Sequence, residues 1–115
     1  MAAEHESVLS ELLDGLIETA LLEQLPDRVV LDVVPLEQYS LPVLRKLLIR
    51  VWKQQHFPMR EMDYEQWTAL AELLQTPDKR LDFPGGISAL RTQNRFVIMQ
   101  AGMEHGAITV SGRVR

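Results

Sequence analysis

Residues 79–99 read Lys-Arg-Leu-Asp-Phe-Pro-Gly-Gly-Ile-Ser-Ala-Leu-Arg-Thr-Gln-Asn-Arg-Phe-Val-Ile-Met, and this stretch decides the fold class. Three short apolar-rich runs, Arg80 to Phe83, Ile87 to Arg91 and Arg95 to Met99, are separated by Pro84-Gly85-Gly86 and Thr92-Gln93-Asn94. Short runs between turn-forming residues predict an antiparallel three-stranded meander. The main apolar stretches upstream repeat at helical spacing instead. The expected class is therefore α+β, with three main helices packed against a small three-stranded antiparallel sheet.

Working back toward the N-terminus, the segment before the meander holds a helix with a strong start signal. Asp63 is placed to cap it, Gln66 to answer three residues on, and Met62 to pack on Trp67 as a hydrophobic staple. Trp67, Leu70, Ala71 and Leu74 form its apolar stripe, and Pro77-Asp78 limits it to about Gln75. The preceding helix opens at Leu41-Pro42, since proline fits a first turn whose N–H has no partner. On a helical wheel Val43, Leu44, Leu47, Leu48, Val51 and Trp52 fill one half, while Arg45, Lys46, Arg50 and Lys53 fill the other. Ile49 lies in the middle of the basic half. Leu44, Leu48, Trp52, Trp67, Leu70 and Leu81 are expected to share one core.

The N-terminal helix is acidic. Val8, Leu9, Leu12, Leu13, Leu16, Ile17, Ala20 and Leu21 recur in pairs four apart, with Ser7 a candidate cap and Pro26 a block to continuation. Residues 1–25 thus read as a connecting acidic amphipathic helix. Residues 27–36 read as a connection, with Val29 to Val34 short and β-branched. Gly102 to Arg115, with three glycines, reads as part of a linker or tail over 101–115.

The chain has 115 residues, 46% of them apolar, which suits one folded domain. It has no cysteine, which excludes disulfides, thiolate metal sites and a cysteine nucleophile, and makes a reducing cytoplasm the expected home. No apolar run is long enough to span a bilayer, so no membrane association is expected. The net charge of −4 is segregated: residues 1–39 carry nine acids and one base, residues 40–60 five bases and no acid, residues 61–78 five acids and no base, and residues 79–115 six bases and two acids. A uniformly basic nucleic-acid surface is excluded, whereas a local basic face is not.

No self-contained active site emerges. His5, His56 and His105 lie too far apart for local ligand spacing, so no metal is expected. Gly85-Gly86 lacks the following Lys-Ser or Lys-Thr of a phosphate loop, and Ser88 lacks the glycines of a nucleophile elbow.

Leu36 to Trp52, with Leu41-Pro42 leading a basic helix that ends in tryptophan, is followed by a second helix, by Thr76-Pro77-Asp78-Lys79-Arg80-Leu81-Asp82-Phe83-Pro84-Gly85-Gly86 with Arg91 in the next strand, and by Phe96-Val97-Ile98. In that order these features resemble the substrate-binding domain of tRNA(Ile)-lysidine synthetase, over roughly residues 25 to 100. Enzymes of that family use ATP to join lysine to the wobble cytidine of an isoleucine tRNA. The resemblance implies a tRNA-binding domain at 26–100 that is not itself catalytic. ATP and magnesium would belong to an adenylating domain of the same polypeptide, whose Ser-Gly-Gly-x-Asp-Ser loop is missing here. It also admits a homodimeric parent.

The bases placed to meet phosphates are Arg45, Lys46, Arg50 and Lys53 on the helix, then Lys79, Arg80, Arg91 and Arg95 on the sheet. Two alternatives stand beside this. The same bases can merely solvate the helix and pair with Glu61, Asp63, Glu65 or the acidic first helix. The chain can also be a protein interaction module that docks through the first helix or the Ile49 face.

Overall fold

The computed structural model describes residues 2–101, with side chains from residue 8 onward. Its elements are α1 (Ala2–Ala20), β1 (Leu21–Leu25), β2 (Arg28–Asp32), a 3-10 turn (Val34–Leu36), α2 (Leu41–Gln54), α3 (Tyr64–Leu74), β3 (Lys79–Phe83), β4 (Ile87–Arg91) and β5 (Arg95–Gln100). The class is α+β with three helices. The sheet, however, has five strands in the order β1-β2-β5-β4-β3, antiparallel throughout, and this corrects the expected three.

The two added strands come from residues 21–36. Leu21 falls in register with the helical stripe, so Leu21 to Leu25 reads as the end of a helix, yet it pairs with β2 around the two-residue turn Pro26-Asp27. No glycine or proline stops α1 at Ala20; the ladder with β2 does. Leu22 is an extra residue in that ladder, between the Leu21↔Leu31 and Glu23↔Val30 pairs, and makes a bulge that bends the edge strand. Strand β2 escapes a reading by alternation because Val30 is apolar between the buried Val29 and Leu31. Its second partner is β5, with Val29 opposite Ile98 and Leu31 opposite Phe96, far away in sequence. The boundary expected at residue 25 therefore falls inside a hairpin. Leu13, Ile17 and Ala20 of α1 lie in the same core as the rest. Because α1 runs from Ala2, Ser7 sits inside the helix rather than at its start. The stretch expected to be a tail, beyond residue 101, lies outside the described residues, as does His105.

The helices cover one face of the sheet, onto which Val29, Leu31, Ile87, Ala89, Phe96 and Ile98 project. At the centre is Trp52, fully buried, with Trp67, Phe57 and Phe83 edge-on to it at centroid distances of 5.2, 5.8 and 6.2 Å. Its indole N–H donates to Pro58 O at 2.8 Å, so the one polar atom of the ring is satisfied. Leu44, Leu48, Trp67 and Leu70 join this core as expected, while Leu81 is only half-buried against it.

Local chemistry sets the helix ends. Asp63 Oδ1 accepts from the Gln66 backbone N–H at 2.9 Å, which is the cap its position predicts. Helix α2 ends with His56 in the left-handed region (φ 60°), while the His56 and Phe57 amides donate to Lys53 O and Trp52 O. The buried Gln55 then ties α2 to the sheet edge. Its Nε2–H donates to Leu25 O at 2.7 Å, and its Oε1 accepts from Gln24 at 2.8 Å. These contacts at its C-terminal end set the register of α2 over the sheet, and hence the outward direction of its basic face.

Candidate nucleic-acid interface

Helix α2 buries Leu44, Leu47, Leu48, Val51 and Trp52 and turns its cations outward. Lys46 and Lys53 are exposed and make no ion pair among the described residues. Arg45 lies over the ring of Tyr64, its guanidinium carbon 4.7 Å from the centroid, within the range of a cation–π contact. Arg50 is held by α1: its Nε–H donates to Asp14 Oδ1 at 2.8 Å and its Nη2–H to Ser10 Oγ at 2.7 Å. Among the described residues, one of the four helix cations pairs with the acidic first helix, and none pairs with Glu61, Asp63 or Glu65.

Between α1 and α2 runs an open groove of about 520 Å³, lined by Leu9, Ser10, Leu13, Lys46, Ile49, Arg50 and Lys53. Its floor is apolar and its α2 edge is cationic. Ile49, which looked misplaced on a basic face, is half-buried and packs against the core from this floor. Lys46, Arg50 and Lys53 are four and three residues apart, so they follow one edge of the helix for about 10 Å. Such an edge can neutralise a short run of phosphates, and it reads no base.

The sheet bases separate into different environments. Arg91 is buried on the inner face of β4, in the row Leu31, Phe96, Arg91. Its guanidinium donates to Leu74 O, to Thr92 O at 2.7 Å and to Gln93 O at 3.0 Å. It closes the C-terminus of α3, where carbonyls lack helical partners, and points no charge at solvent. The signal lay in the sequence: Ile87, Ala89 and Arg91 share one parity, so the arginine faces inward with the core residues. Arg80 lies on the opposite, outer face, 3.7 Å from Asp82 and 3.3 Å from Ser88 Oγ. Arg95 and Lys79 are exposed at the strand starts. The fold does not gather the four into one surface with α2.

Sequence reasoning missed Ser10, Asp14 and Tyr64. The first two reach Arg50 from 40 and 36 residues away, and no local pattern encodes that contact. Tyr64 follows the Asp63 cap and is 67% exposed, so it is the aromatic closest to the basic face that is not core. The pair Gly85-Gly86 is accounted for by the β3–β4 turn: both φ angles are positive (87° and 76°), and a Cβ on Gly85 would lie 2.8 Å from the Pro58 ring. Among the described residues no three His, Asp or Glu side chains converge, and no helix is long and apolar enough to cross a membrane. Compared with protein-family models and with curated proteins, the chain matches none.

Proposed function

We propose that this chain binds tRNA through the exposed cationic edge of α2, as the substrate-binding part of an enzyme similar to tRNA(Ile)-lysidine synthetase. The observation that supports it most is the groove edge formed by Lys46, Arg50 and Lys53, where three cations follow one helix and Lys46 and Lys53 make no ion pair among the described residues. In this reading Arg45, held over Tyr64, is a flanking contact, and Lys79, Arg80 and Arg95 are peripheral. ATP, magnesium and the ligase chemistry reside in an adenylating domain of the same polypeptide, the parent works in the cytoplasm and can be a homodimer, and this part orients the RNA by its backbone.

The test is anisotropy of a labelled tRNA transcript titrated with the chain at several salt concentrations. Binding by the isolated chain is expected to be weak, because the first 39 residues place nine acids on the same small body. Changing Arg45, Lys46, Arg50 and Lys53 to Glu should weaken it further and flatten the logarithmic salt slope by about one per lost phosphate contact. Unchanged affinity and slope in a folded variant would refute the α2 site and leave Arg80 and Arg95 as the next positions to test.

A protein-docking role is favoured by a different observation. The apolar stripe of α1 runs past the core, leaving Val8 66% and Leu12 40% exposed. In the tRNA reading this end of α1 meets the adenylating domain. In the alternative it docks another protein, and the transcript titration then shows no saturable binding.

A further inference from the structure

Two residues from opposite charge blocks meet on the seam between α1 and α2. Arg50 stands among bases on α2, Asp14 among acids on α1, and the fold brings Nε and Oδ1 to 2.8 Å. The carboxylate offers this guanidinium what a phosphate would offer, an anionic oxygen at charge-assisted hydrogen-bond distance. Ser10 completes the seat from the same helix: its Oγ accepts from Arg50 at 2.7 Å, and its hydroxyl hydrogen, which has no acceptor among the described residues, can donate to a phosphate oxygen. Lys46, one turn before Arg50, and Lys53, one turn after it, line the same groove. A phosphate entering the groove meets two cations that have no ion-pair partner among the described residues and a third occupied by Asp14.

The occupant is also replaceable. The Asp14 side chain is 57% exposed and that of Arg50 34%, and ion pairs this open to water hold their partners weakly. An RNA phosphate with Lys46 and Lys53 beside it is drawn by three cations, whereas Asp14 is drawn chiefly by one.

We propose that Asp14 is the built-in competitor for a phosphate seat made of Arg50 and Ser10, so that the acidic first helix sets how tightly the basic second helix takes RNA. The inference rests on the tRNA reading above, and it adds a ligand-binding residue on α1 (Ser10) and a restraining one (Asp14).

The experiment titrates an unmodified tRNA transcript with the whole chain and with four variants at salt concentrations upward of about 50 mM. Asp14→Asn keeps the shape of the side chain and removes its charge. It should tighten binding roughly five- to tenfold at the lowest salt and steepen the logarithmic salt slope by about 0.7 to 0.9, the value of one added phosphate contact. Glu11→Gln removes the same charge from an exposed position on the same helix and should leave the slope unchanged. Asp14→Asn combined with Arg50→Gln should show no gain over Arg50→Gln alone. All the altered side chains are partly or fully exposed, and a far-UV spectrum and melting midpoint verify each fold. If the wild-type chain binds the transcript while Asp14→Asn matches Glu11→Gln in affinity and slope, the competitor role is overturned and the tRNA reading stands. If neither the wild-type chain nor Asp14→Asn binds saturably, the tRNA reading fails and the competitor role fails with it.

Discussion

Arg91 is the residue whose chemistry differs most between its charge and its place. An arginine on a surface strand is a phosphate contact in waiting; on the inward parity of β4 it becomes a plug for the end of α3. Leu74 O is a buried carbonyl with no helical partner, and leaving it unmet costs about 1 to 3 kcal/mol. Arg91→Leu should therefore lower the urea unfolding free energy by about that much, whereas Lys53→Ala, on the exposed face of α2, should stay within about 0.5 kcal/mol. Equal effects would mean that the guanidinium does not hold the carbonyl. Asp63, by contrast, was legible from its neighbours alone, because a cap and the amide it serves are three residues apart. The difference is one of range: Asp63 acts within its own turn, and Arg91 acts across 17 residues.

At the scale of the element, α2 explains why the basic face points where it does. Its apolar half is clamped by the Trp52 cluster, and its C-terminus is clamped by Gln55 against β1. The helix ends in a left-handed residue that is not glycine, and an L side chain in that region costs about 1 to 2 kcal/mol. Part of that gain is cancelled by the larger unfolded-state entropy of glycine, so His56→Gly should raise stability by about 0.5 to 1 kcal/mol. A thermal midpoint that falls on this change would mean that the imidazole makes a contact worth more than the strain. The N-terminal end of α2 is less defended, since Ser40 makes no side-chain capping bond and Pro42 alone marks the start. Periodicity was sufficient to find α2 and α3, because each keeps its stripe within one element. It failed at Ala20, where helix and strand compete for the same leucines and the outcome depends on a ladder with residues 28–32.

For the whole molecule, the N-terminal 25 residues are part of the fold. Leu13, Ile17 and Ala20 fill the core, and β1 supplies an edge strand. Removing residues 1–25 should uncover Val29, Leu31 and Leu36 and abolish a cooperative thermal transition. In the intact chain, tryptophan emission and far-UV circular dichroism should report one coincident transition, because Trp52 and Trp67 sit in the single core that all layers share. A truncated chain that melts as sharply as the intact one would restore the first helix to the role of a connector. The same integration carries the electrostatic argument, for only a packed α1 can bring Asp14 to Arg50.

The sequence by itself determined the three helices, the cap at Asp63, the meander of β3, β4 and β5, most of the core and the basic half of α2. Each of these is written in residues close together along the chain, as a 3.6-residue period, a capping spacing or a turn between short runs. The tertiary structure alone decided that β1 and β2 complete the sheet, that Arg91 closes a helix instead of facing solvent, and that Arg50 is held by Ser10 and Asp14. Those outcomes are pairings between distant segments, where the choice between strand and helix, or between ion pair and solvent, is made by which partner the finished fold places within a few ångströms.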